Sequence, residues 1–348
     1  MKDTIRLTKD DKVEILDQRK LPFKEHIIST EKSKVVIKAI KELSIRGAPA
    51  IGVAGGFAAY LSLKETKAKK NFDRLSVEIL SKLELIECSR PTAVNLSWAI
   101  ERFRKIINSG KETKYEKLLI IFRKESIKIA KEENIVSTAI SKIGSKLIKK
   151  NAKIITHCNT GSLATTGPGT ALGVIKFANK KNKGIRVFAT ETRPLLQGSR
   201  LTVYECQKNN IDCTLITDSM ASYIIEKEKI DLIIVGADRI ASNGDTANKI
   251  GTYQLAISAN FHKIPFFIAA PISTFDFAAK SGKSIKIEER NIEELITINK
   301  SLISNSKKCA NPAFDVTPKD LISGIITEKG IIFNPSFKKI NIFKNRYL

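Results

Sequence analysis

The chain has 348 residues, enough for two ordinary domains, and its 42% hydrophobic and 28% charged residues are typical of a globular protein. We recognise neither the apolar run of about 20 residues that a membrane helix needs nor the apolar segment of a signal peptide, so we expect no membrane contact and a cytoplasmic location. The net charge of +24 comes mainly from lysines scattered among polar residues, without the basic and aromatic interleaving of single-strand binders, so we expect no nucleic-acid partner.

The first half of the chain is predicted to be mainly helical. After a short β-like opening, residues 31–47 show the apolar spacing of a helix that would end at Gly47. Ala48 and Pro49 then open a second helix, in which the pair Gly55-Gly56 is tolerable only if another backbone comes close. Further helical patterns cover residues 93–107 and the stretch from about 113 to 150.

From about residue 151, short β-branched runs alternate with helical stretches, which predicts a parallel, doubly wound, Rossmann-like sheet. The predicted strands are AKIITHC, IRVFATE, DCTLITD, DLIIVGAD, PFFIAAP and GIIFNP. We therefore expect an α/β protein with a mainly helical N-terminal domain over residues 1–145 and a Rossmann-like catalytic domain over residues 146–348.

Polar residues of functional types follow these strands. In an open α/β sheet, ligands bind beyond the carboxyl ends of the strands, so the segments after each strand are the candidate site. The segments are His157–Ser162, Glu191–Gly198, Asp218–Met220 and Gly236–Arg239.

The connection after the first strand invites comparison with a dinucleotide-binding loop. Gly167, Gly169 and Gly173 have the spacing GxGxxxG, one residue longer than the Rossmann fingerprint, although Glu191 lies near the position of a ribose-binding acid. Close packing of helix on sheet explains small residues there equally well. We therefore do not expect a nicotinamide cofactor.

The cysteines argue against a disulfide framework and a zinc ribbon, because the five are scattered and form no CxxC pair. With only three histidines, a site rich in His or Cys is not expected, and no motif for an acidic metal site is visible.

Cys158 and Asp238 are the two strand-end residues with catalytic chemistry. A free cysteine is often simply buried, so Cys158 owes its interest to its place before Asn and Gly at a strand end. Asp238 closes a strongly apolar strand, where a carboxylate is costly unless it is paired or protonated. Burial would raise its pKa, as suits a proton donor. A helix N-cap or a salt bridge to Arg239 is the alternative.

Three segments have the design of an anion site. The polar loop Asn243–Lys249 is predicted to lead into a helix whose first N–H groups, with Lys249, could hold an anion. Arg46-Gly47-Ala48 and Arg90-Pro91-Thr92 each place an arginine before a helix. Any one of these could be an ordinary cap, but their repetition favours a phosphate ligand.

Together these segments resemble the methylthioribose-1-phosphate isomerase family, which is related to the alpha, beta and delta subunits of the initiation-factor 2B exchange factor. The similar segments are IRGAPAIGVAGGFA, SRPTAVNLSWAI, ITHCNTGSLATTGPGTALGVI, VFATETRPLLQGSRLT, VGADRIASNGDTANKIGTYQLA and NPAFDVTPKDLISGIITEKGI. They cover nearly the whole chain.

The resemblance implies an aldose–ketose isomerase of methionine salvage that needs no metal or other cofactor and works as a homodimer, with a small sheet in its N-terminal domain. It implies that Asp238 is the acid and Cys158 its catalytic partner. The residues that would hold the sugar phosphate are Arg46, Gly47, Ala48, Arg90, Gln197, Asn248 and Lys249.

Three alternatives stay open. A sister isomerase would act on 5-deoxyribose 1-phosphate or ribose 1,5-bisphosphate with the same catalytic pair. A regulatory exchange-factor subunit would keep the fold without needing Cys158 and Asp238. A nucleic-acid-binding protein would need its positive charge concentrated on one face.

Overall fold

The computed structural model describes residues 3–90, 93–110, 114–181, 184–298 and 301–347. The chain forms two compact units: unit 1 comprises the residues up to Ser137 together with Ser162–Gly167, and unit 2 comprises Thr138–Gly161 and the residues from Pro168 onward. The predicted domain boundary at residue 145 stays a prediction. The two units are defined by contacts in space, and unit 1 includes a segment from beyond that residue, Ser162–Gly167.

Unit 1 combines a small antiparallel sheet with helices, as expected for the N-terminal half. The sheet, in the order β1-β2-β3, consists of β1 (Ile5–Leu7), β2 (Val13–Leu16) and β3 (Ile27–Thr30). The helices are α1 (Ser33–Lys41), α2 (Ala48–Lys64), α3 (Phe72–Glu87), α4 (Val94–Ser109) and the first part of α5 (Tyr115–Gly144). Helix α3 was not predicted individually.

Helix α2 is the centre of the unit 1 core and is buried around its circumference. A Cβ added at Gly55 would lie 2.4 Å from Cδ1 of Leu96 on α4, so the group that comes close there is a side chain and not the backbone that the glycine pair predicted. The predicted end of α1 at Gly47 was wrong. The helix ends at Lys41, and Leu43 then takes a left-handed φ of 61°, a conformation that cannot continue an α-helix.

In unit 2, the described part of the chain forms a seven-stranded sheet in the order β16-β15-β10-β7-β4-β5-β6. All neighbouring strands are parallel except β16, which is antiparallel to β15. A smaller sheet has the order β11-β8-β9-β14, and β12 and β13 form a hairpin. The strands are β4 (Lys153–Thr156), β5 (Arg186–Thr190), β6 (Asp212–Ile216), β7 (Leu232–Val235), β8 (Arg239–Ala241), β9 (Thr246–Lys249), β10 (Phe266–Ala269), β11 (Phe275–Asp276), β12 (Thr297–Ile298), β13 (Ser301–Leu302), β14 (Phe314–Thr317), β15 (Gly324–Thr327) and β16 (Gly330–Phe333).

The helices of unit 2 are α6 (Ala171–Lys181), α7 (Val203–Lys208), α8 (Ala221–Glu228), α9 (Thr252–Phe261), α10 (Glu293–Ile296) and α11 (Phe337–Tyr347). A π-helical turn, Gly198–Thr202, leads into α7. All six predicted strands are confirmed, and so is the α/β fold class with a parallel central sheet. Strand β15 and the smaller sheet were not predicted.

The segment Asn243–Lys249 is only partly the loop that its polar composition predicted. Thr246–Lys249 is strand β9, paired antiparallel with β14 in a register that sets Asn248 opposite Asp315. The partner strand lies far away in the sequence, so no local pattern reveals the pairing.

None of the helices formed by the residues described is long and apolar enough to cross a membrane.

Candidate active site at the carboxyl ends of β4 and β7

The candidate site lies where the winding of the large sheet reverses. From β4 the chain proceeds outward through β5 and β6, and from β7 it proceeds in the other direction through β10 and β15. Such a switch point opens a crevice at the carboxyl ends of the two central strands. Cys158 follows β4 and Asp238 follows β7, so the two predicted catalytic residues leave neighbouring strands at the same edge.

The backbone of Cys158 is held in an unusual conformation. Its φ is +62°, in the left-handed region that non-glycine residues rarely adopt and that costs on the order of 1 kcal/mol. Its N–H donates to Oγ1 of Thr192 at 2.8 Å, and its carbonyl accepts from Oγ1 of Thr202 at 2.6 Å. The side chain is only 7% exposed. Strain that neighbouring groups hold in place is a common feature of functional sites.

His157 connects the Cys158 turn to the segment after β9. Its Nε2 donates to the carbonyl of Ile250 at 2.8 Å, and Nδ1 lies 2.6 Å from Oγ1 of Thr190. Burial lowers the pKa of His157 and favours the neutral ring. The sequence placed His157 at a strand end without a role, and the structure assigns it a structural link.

The turn after β5 is anchored by Asp218, which follows β6. The Asp218 carboxylate accepts from the N–H groups of Thr192 at 2.8 Å and of Arg193 at 2.7 Å. A Cβ at Gly198 would lie 1.7 Å from the carbonyl oxygen of Thr190, so only glycine fits there. Between these fixed points Gln197 is 3% exposed, and its Oε1 has no hydrogen-bond partner among the described residues. A buried acceptor of this kind fits the predicted role as a ligand.

Asp238 precedes a strand instead of a helix, so the helix N-cap alternative was wrong. Its N–H donates to the carbonyl of Ala247 at 3.0 Å, which sets it beside Asn248 at the end of the β8–β9 hairpin. The side chain is half-buried. Arg239 forms an ion pair with Asp276 at 3.3 Å.

Asn248 and Lys249 are fixed by different neighbours. Nδ2 of Asn248 donates to Oγ1 of Thr252 at 2.9 Å. Nζ of Lys249 donates to the carbonyl of Ala313 at 2.9 Å and lies 4.4 Å from the centre of the Phe314 ring. Both residues therefore lie at the β9 end that His157 and Asp238 also approach.

Two N–H groups at the start of α9, which were predicted to be able to hold an anion together with Lys249, already bind a carboxylate of this chain. The Asp315 carboxylate accepts from the N–H groups of Gly251 at 2.7 Å and of Tyr253 at 3.1 Å. Burial raises the pKa of Asp315 to about 6, although these hydrogen bonds act in the opposite direction. Asp315 lies in the segment NPAFDVTPKDLISGIITEKGI, but its capping role depends on the β9–β14 pairing and could not be read from the sequence.

The remaining predicted site residues belong to unit 1. Gly47 has a φ of +89°, and a Cβ there would lie 2.5 Å from Cα of Ala164, so this position requires glycine. Ala48 begins α2 and is buried, while Arg46 and Arg90 are half-buried. Pro91 and Thr92, which complete the third predicted anion segment, lie outside the described residues. Of the predicted site residues, Cys158, Gln197, Asp238, Asn248 and Lys249 thus belong to unit 2, and Arg46, Gly47, Ala48 and Arg90 belong to unit 1.

Gly169, in the loop before α6, and Gly173, within α6, serve close packing. A Cβ at Gly169 would lie 2.5 Å from Cα of Gly161, and one at Gly173 would lie 2.3 Å from Oγ of Ser141. The N–H of Leu172 in the first turn of α6 donates to Oγ1 of Thr160 at 3.0 Å. These contacts favour the packing interpretation over dinucleotide binding. Within the described ranges, no group of three or more His, Cys, Asp or Glu side chains is arranged to hold a metal ion.

Comparison with known proteins connects this site to an activity. The model of the Initiation factor 2 subunit family matches residues 44–334. A methylthioribose-1-phosphate isomerase from Fervidobacterium nodosum is 47% identical over 93% of both chains. One from Caldicellulosiruptor saccharolyticus is 48% identical over 97% of this chain and 98% of its own.

Two solved structures with a similar fold are named differently, one as an isomerase and the other as a translation initiation factor subunit. The crystal structure of 5-methylthioribose 1-phosphate isomerase from Pyrococcus horikoshii has a TM-score of 0.91 at 37% identity and covers 99% of this chain and 96% of its own. The translation initiation factor eIF-2B, subunit delta, from A. fulgidus has a TM-score of 0.84 at 39% identity and covers 98% of this chain and 99% of its own.

Proposed function

This chain belongs to the Initiation factor 2 subunit family and is an isomerase, and from that premise we propose that it converts 5-methylthioribose 1-phosphate into 5-methylthioribulose 1-phosphate in methionine salvage. One observation carries the proposal: Cys158 and Asp238 follow neighbouring strands at the switch point of the sheet, in a chain 47% and 48% identical to isomerases of that name. The five free cysteines are consistent with a reducing compartment, and we propose the cytoplasm.

The chemistry requires an acid first. An ordinary aldose opens its ring through the anomeric hydroxyl, but here that oxygen carries the phosphate. Protonation of the ring oxygen by Asp238 would let the bond between C1 and the ring oxygen break. General acids in enzymes typically contribute about 10²- to 10⁴-fold to the rate.

The second step moves hydrogen from C2 to C1, and two routes are possible. Cys158 could remove the C2 hydrogen as a proton and leave an enediolate-like intermediate that is protonated at C1. Alternatively, the hydrogen moves directly as hydride with its electron pair, and the C2 hydroxyl loses its proton to become the ketone. An apolar site favours the hydride route, because it does little to stabilise a carbanion.

We propose that the sugar phosphate is held by backbone groups and cationic or amide side chains. In unit 2, the buried acceptor of Gln197 suits a sugar hydroxyl, and the cation of Lys249 suits the phosphate. The full proposed set is Arg46, Gly47, Ala48, Arg90, Gln197, Asn248 and Lys249.

The test is an isomerase assay that compares the methylthio, deoxy and phospho forms of the substrate at C5. We expect the methylthio form to have the highest kcat/KM, by about 10- to 200-fold over the deoxy form, because small apolar groups contribute about that much in a fitted pocket. A higher kcat/KM for the phospho or deoxy form would identify a sister isomerase instead. Failure to turn over all three would favour the alternative of an exchange-factor-like subunit, since the A. fulgidus protein is named as a subunit of a translation initiation factor.

We also propose that the chain forms a homodimer through the outer face of α8 and α9. The two helices lie side by side, with Oγ of Ser222 2.7 Å from Oγ of Ser258. Their solvent side exposes large apolar groups, including Tyr223 at 62% and Phe261 at 77%. Large apolar groups exposed on adjacent helices are typical of interaction surfaces.

Phe261→Asp is expected to weaken the dimer by about 30-fold or more, because a buried aromatic anchor contributes at least about 2 kcal/mol to such interfaces. Light scattering would show the mass falling toward the 38.6 kDa of one chain at concentrations where the unaltered protein is dimeric. Phe23→Asp, at an aromatic residue 91% exposed in unit 1, is the matched control and should leave the mass unchanged. A monomeric wild-type protein would remove the proposal.

A further inference from the structure

A buried ion pair lies behind the Cys158 turn. Nζ of Lys176 on α6 is 2.6 Å from Oε2 of Glu205 on α7, and the two side chains are 7% and 0% exposed. Removing both charges from water is expensive, and apolar replacements of such pairs are often as stable or more stable. Stability alone is therefore a weak explanation for a pair at this position.

Glu205 contacts the residues that follow Cys158. Its Oε1 accepts from Nδ2 of Asn159 at 2.9 Å. Its carboxylate also fills the space beside Gly161, where an added Cβ would lie 2.3 Å from Oε2. The turn from Cys158 to Gly161 is thus packed directly against one partner of the ion pair.

Lys176 contacts the chain segment that pairs with this turn. Besides Glu205, its Nζ donates to the carbonyl of Pro168 at 3.3 Å. Gly169, the next residue, forms an antiparallel bridge with Gly161. The ion pair therefore contacts both sides of that bridge, one side through each partner.

The strained conformation of Cys158 needs such support. Oγ1 of Thr202 donates to the Cys158 carbonyl and also accepts from Nδ2 of Asn159 at 3.4 Å. Thr202 precedes Glu205 by three residues. Thr202 ends a π-helical turn, a rare element that often occurs at functional sites. Thr202 and Glu205 therefore meet the Cys158 turn together.

We propose that Glu205 is a positioning residue, which fixes the Cys158–Gly161 turn through its hydrogen bond to Asn159 and thereby aims the Cys158 thiol, while Lys176 holds the buried Glu205 carboxylate in place. The inference rests on the proposed function for its catalytic meaning, while the orientation of the thiol can be measured without substrate.

Two charge-neutral double variants separate positioning from stability. Lys176→Met/Glu205→Leu removes the acceptor for Asn159, whereas Lys176→Met/Glu205→Gln keeps an amide oxygen there as the matched control. We expect the leucine variant to lose about 10²-fold in kcat with little change in KM, since small misplacements of reacting groups cost about that much. The glutamine variant should retain at least tenfold more kcat than the leucine variant, in line with the kept hydrogen bond.

The second readout is the alkylation rate of Cys158 by iodoacetamide without substrate, measured on its peptide by mass spectrometry with the exposed Cys88 as internal reference. A loosened turn should expose the thiol and raise this rate about fivefold or more in the leucine variant alone. In the leucine variant, turnover would then fall while the alkylation rate rises. A purely structural role would not produce this pattern if the leucine and glutamine variants have the same melting temperature.

Equal kcat and equal alkylation rates in the two folded double variants would overturn the proposal. If the leucine variant does not fold, Asn159→Ala decides, because it removes the same hydrogen bond and leaves the ion pair intact; an unchanged alkylation rate would then overturn it. If the wild-type protein isomerises no sugar phosphate but alkylation changes as expected, the proposed function fails and the positioning role stands.

Discussion

Asp238→Asn is expected to lower kcat by about 10²- to 10⁴-fold, the usual contribution of a positioned general acid. Asparagine has nearly the same shape as aspartate and can still form hydrogen bonds, but its amide protons are not acidic enough to protonate the ring oxygen. The backbone bond from residue 238 to the carbonyl of Ala247 does not involve the side chain, so the β8–β9 hairpin should stay intact. Calorimetric binding of the substrate should therefore remain within about tenfold of the wild type.

The control for this variant lies at the other end of the same strand. Asp231 immediately precedes β7, and its carboxylate accepts from the N–H of Lys153 at 2.8 Å. Asp231→Asn changes the same chemical group at the amino end of the sheet, far along the strand from the proposed chemistry, and should leave kcat unchanged. Full activity in Asp238→Asn would remove Asp238 from the mechanism.

The pH dependence of kcat/KM provides a second test of Asp238 as the general acid. A general acid must be protonated in the free enzyme, so kcat/KM of the wild type should fall on the basic side of its optimum. Asparagine does not titrate, so the residual activity of Asp238→Asn should lack that decline. A decline that persists in the variant would belong to another group.

The sequence predicted the edge of the sheet where the site lies, because periodicity and strand ends are local properties. Cys158, Asp218 and Asp238 each end an apolar β-branched run, and the structure places all three after parallel strands of one sheet. The residues that form hydrogen bonds with Cys158 could not be identified from the sequence. Thr192 and Thr202 are ordinary residue types whose hydrogen bonds to Cys158 arise only when the chain folds.

Contacts distant in sequence explain what was missed. Asp315 caps α9 from a strand 62 residues further on, and Lys176 and Glu205 meet across 29 residues. The polar segment Asn243–Lys249 was assigned as a loop because its composition is that of a turn, yet pairing with β14 makes part of it a strand. Tertiary pairing overrides local propensity in such segments.

Cys158→Ser is expected to lower kcat by about 10²-fold or more if the thiolate form of Cys158 takes a proton, because a thiol ionises far more readily than a hydroxyl. Serine is a close match in size and bears the same backbone strain at φ +62°, so the Thr192 and Thr202 bonds to the backbone should persist and folding should be little affected. Cys88→Ser, at an exposed thiol in unit 1, is the control and should keep full activity.

Substrate deuterated at C2 and turned over in ordinary water tells which role the thiol has. If Cys158 removes the hydrogen as a proton, the label exchanges with solvent and much of it is lost from the product. If the hydrogen moves as hydride, the label appears at C1 and the thiol serves only to take or relay the hydroxyl proton. Complete loss of label would exclude the hydride shift, whereas full retention combined with a large effect of Cys158→Ser would make the thiol a partner of Asp238 in proton transfer between oxygens. In that case the strain at Cys158 would serve to aim a proton acceptor at the C2 hydroxyl instead of at carbon.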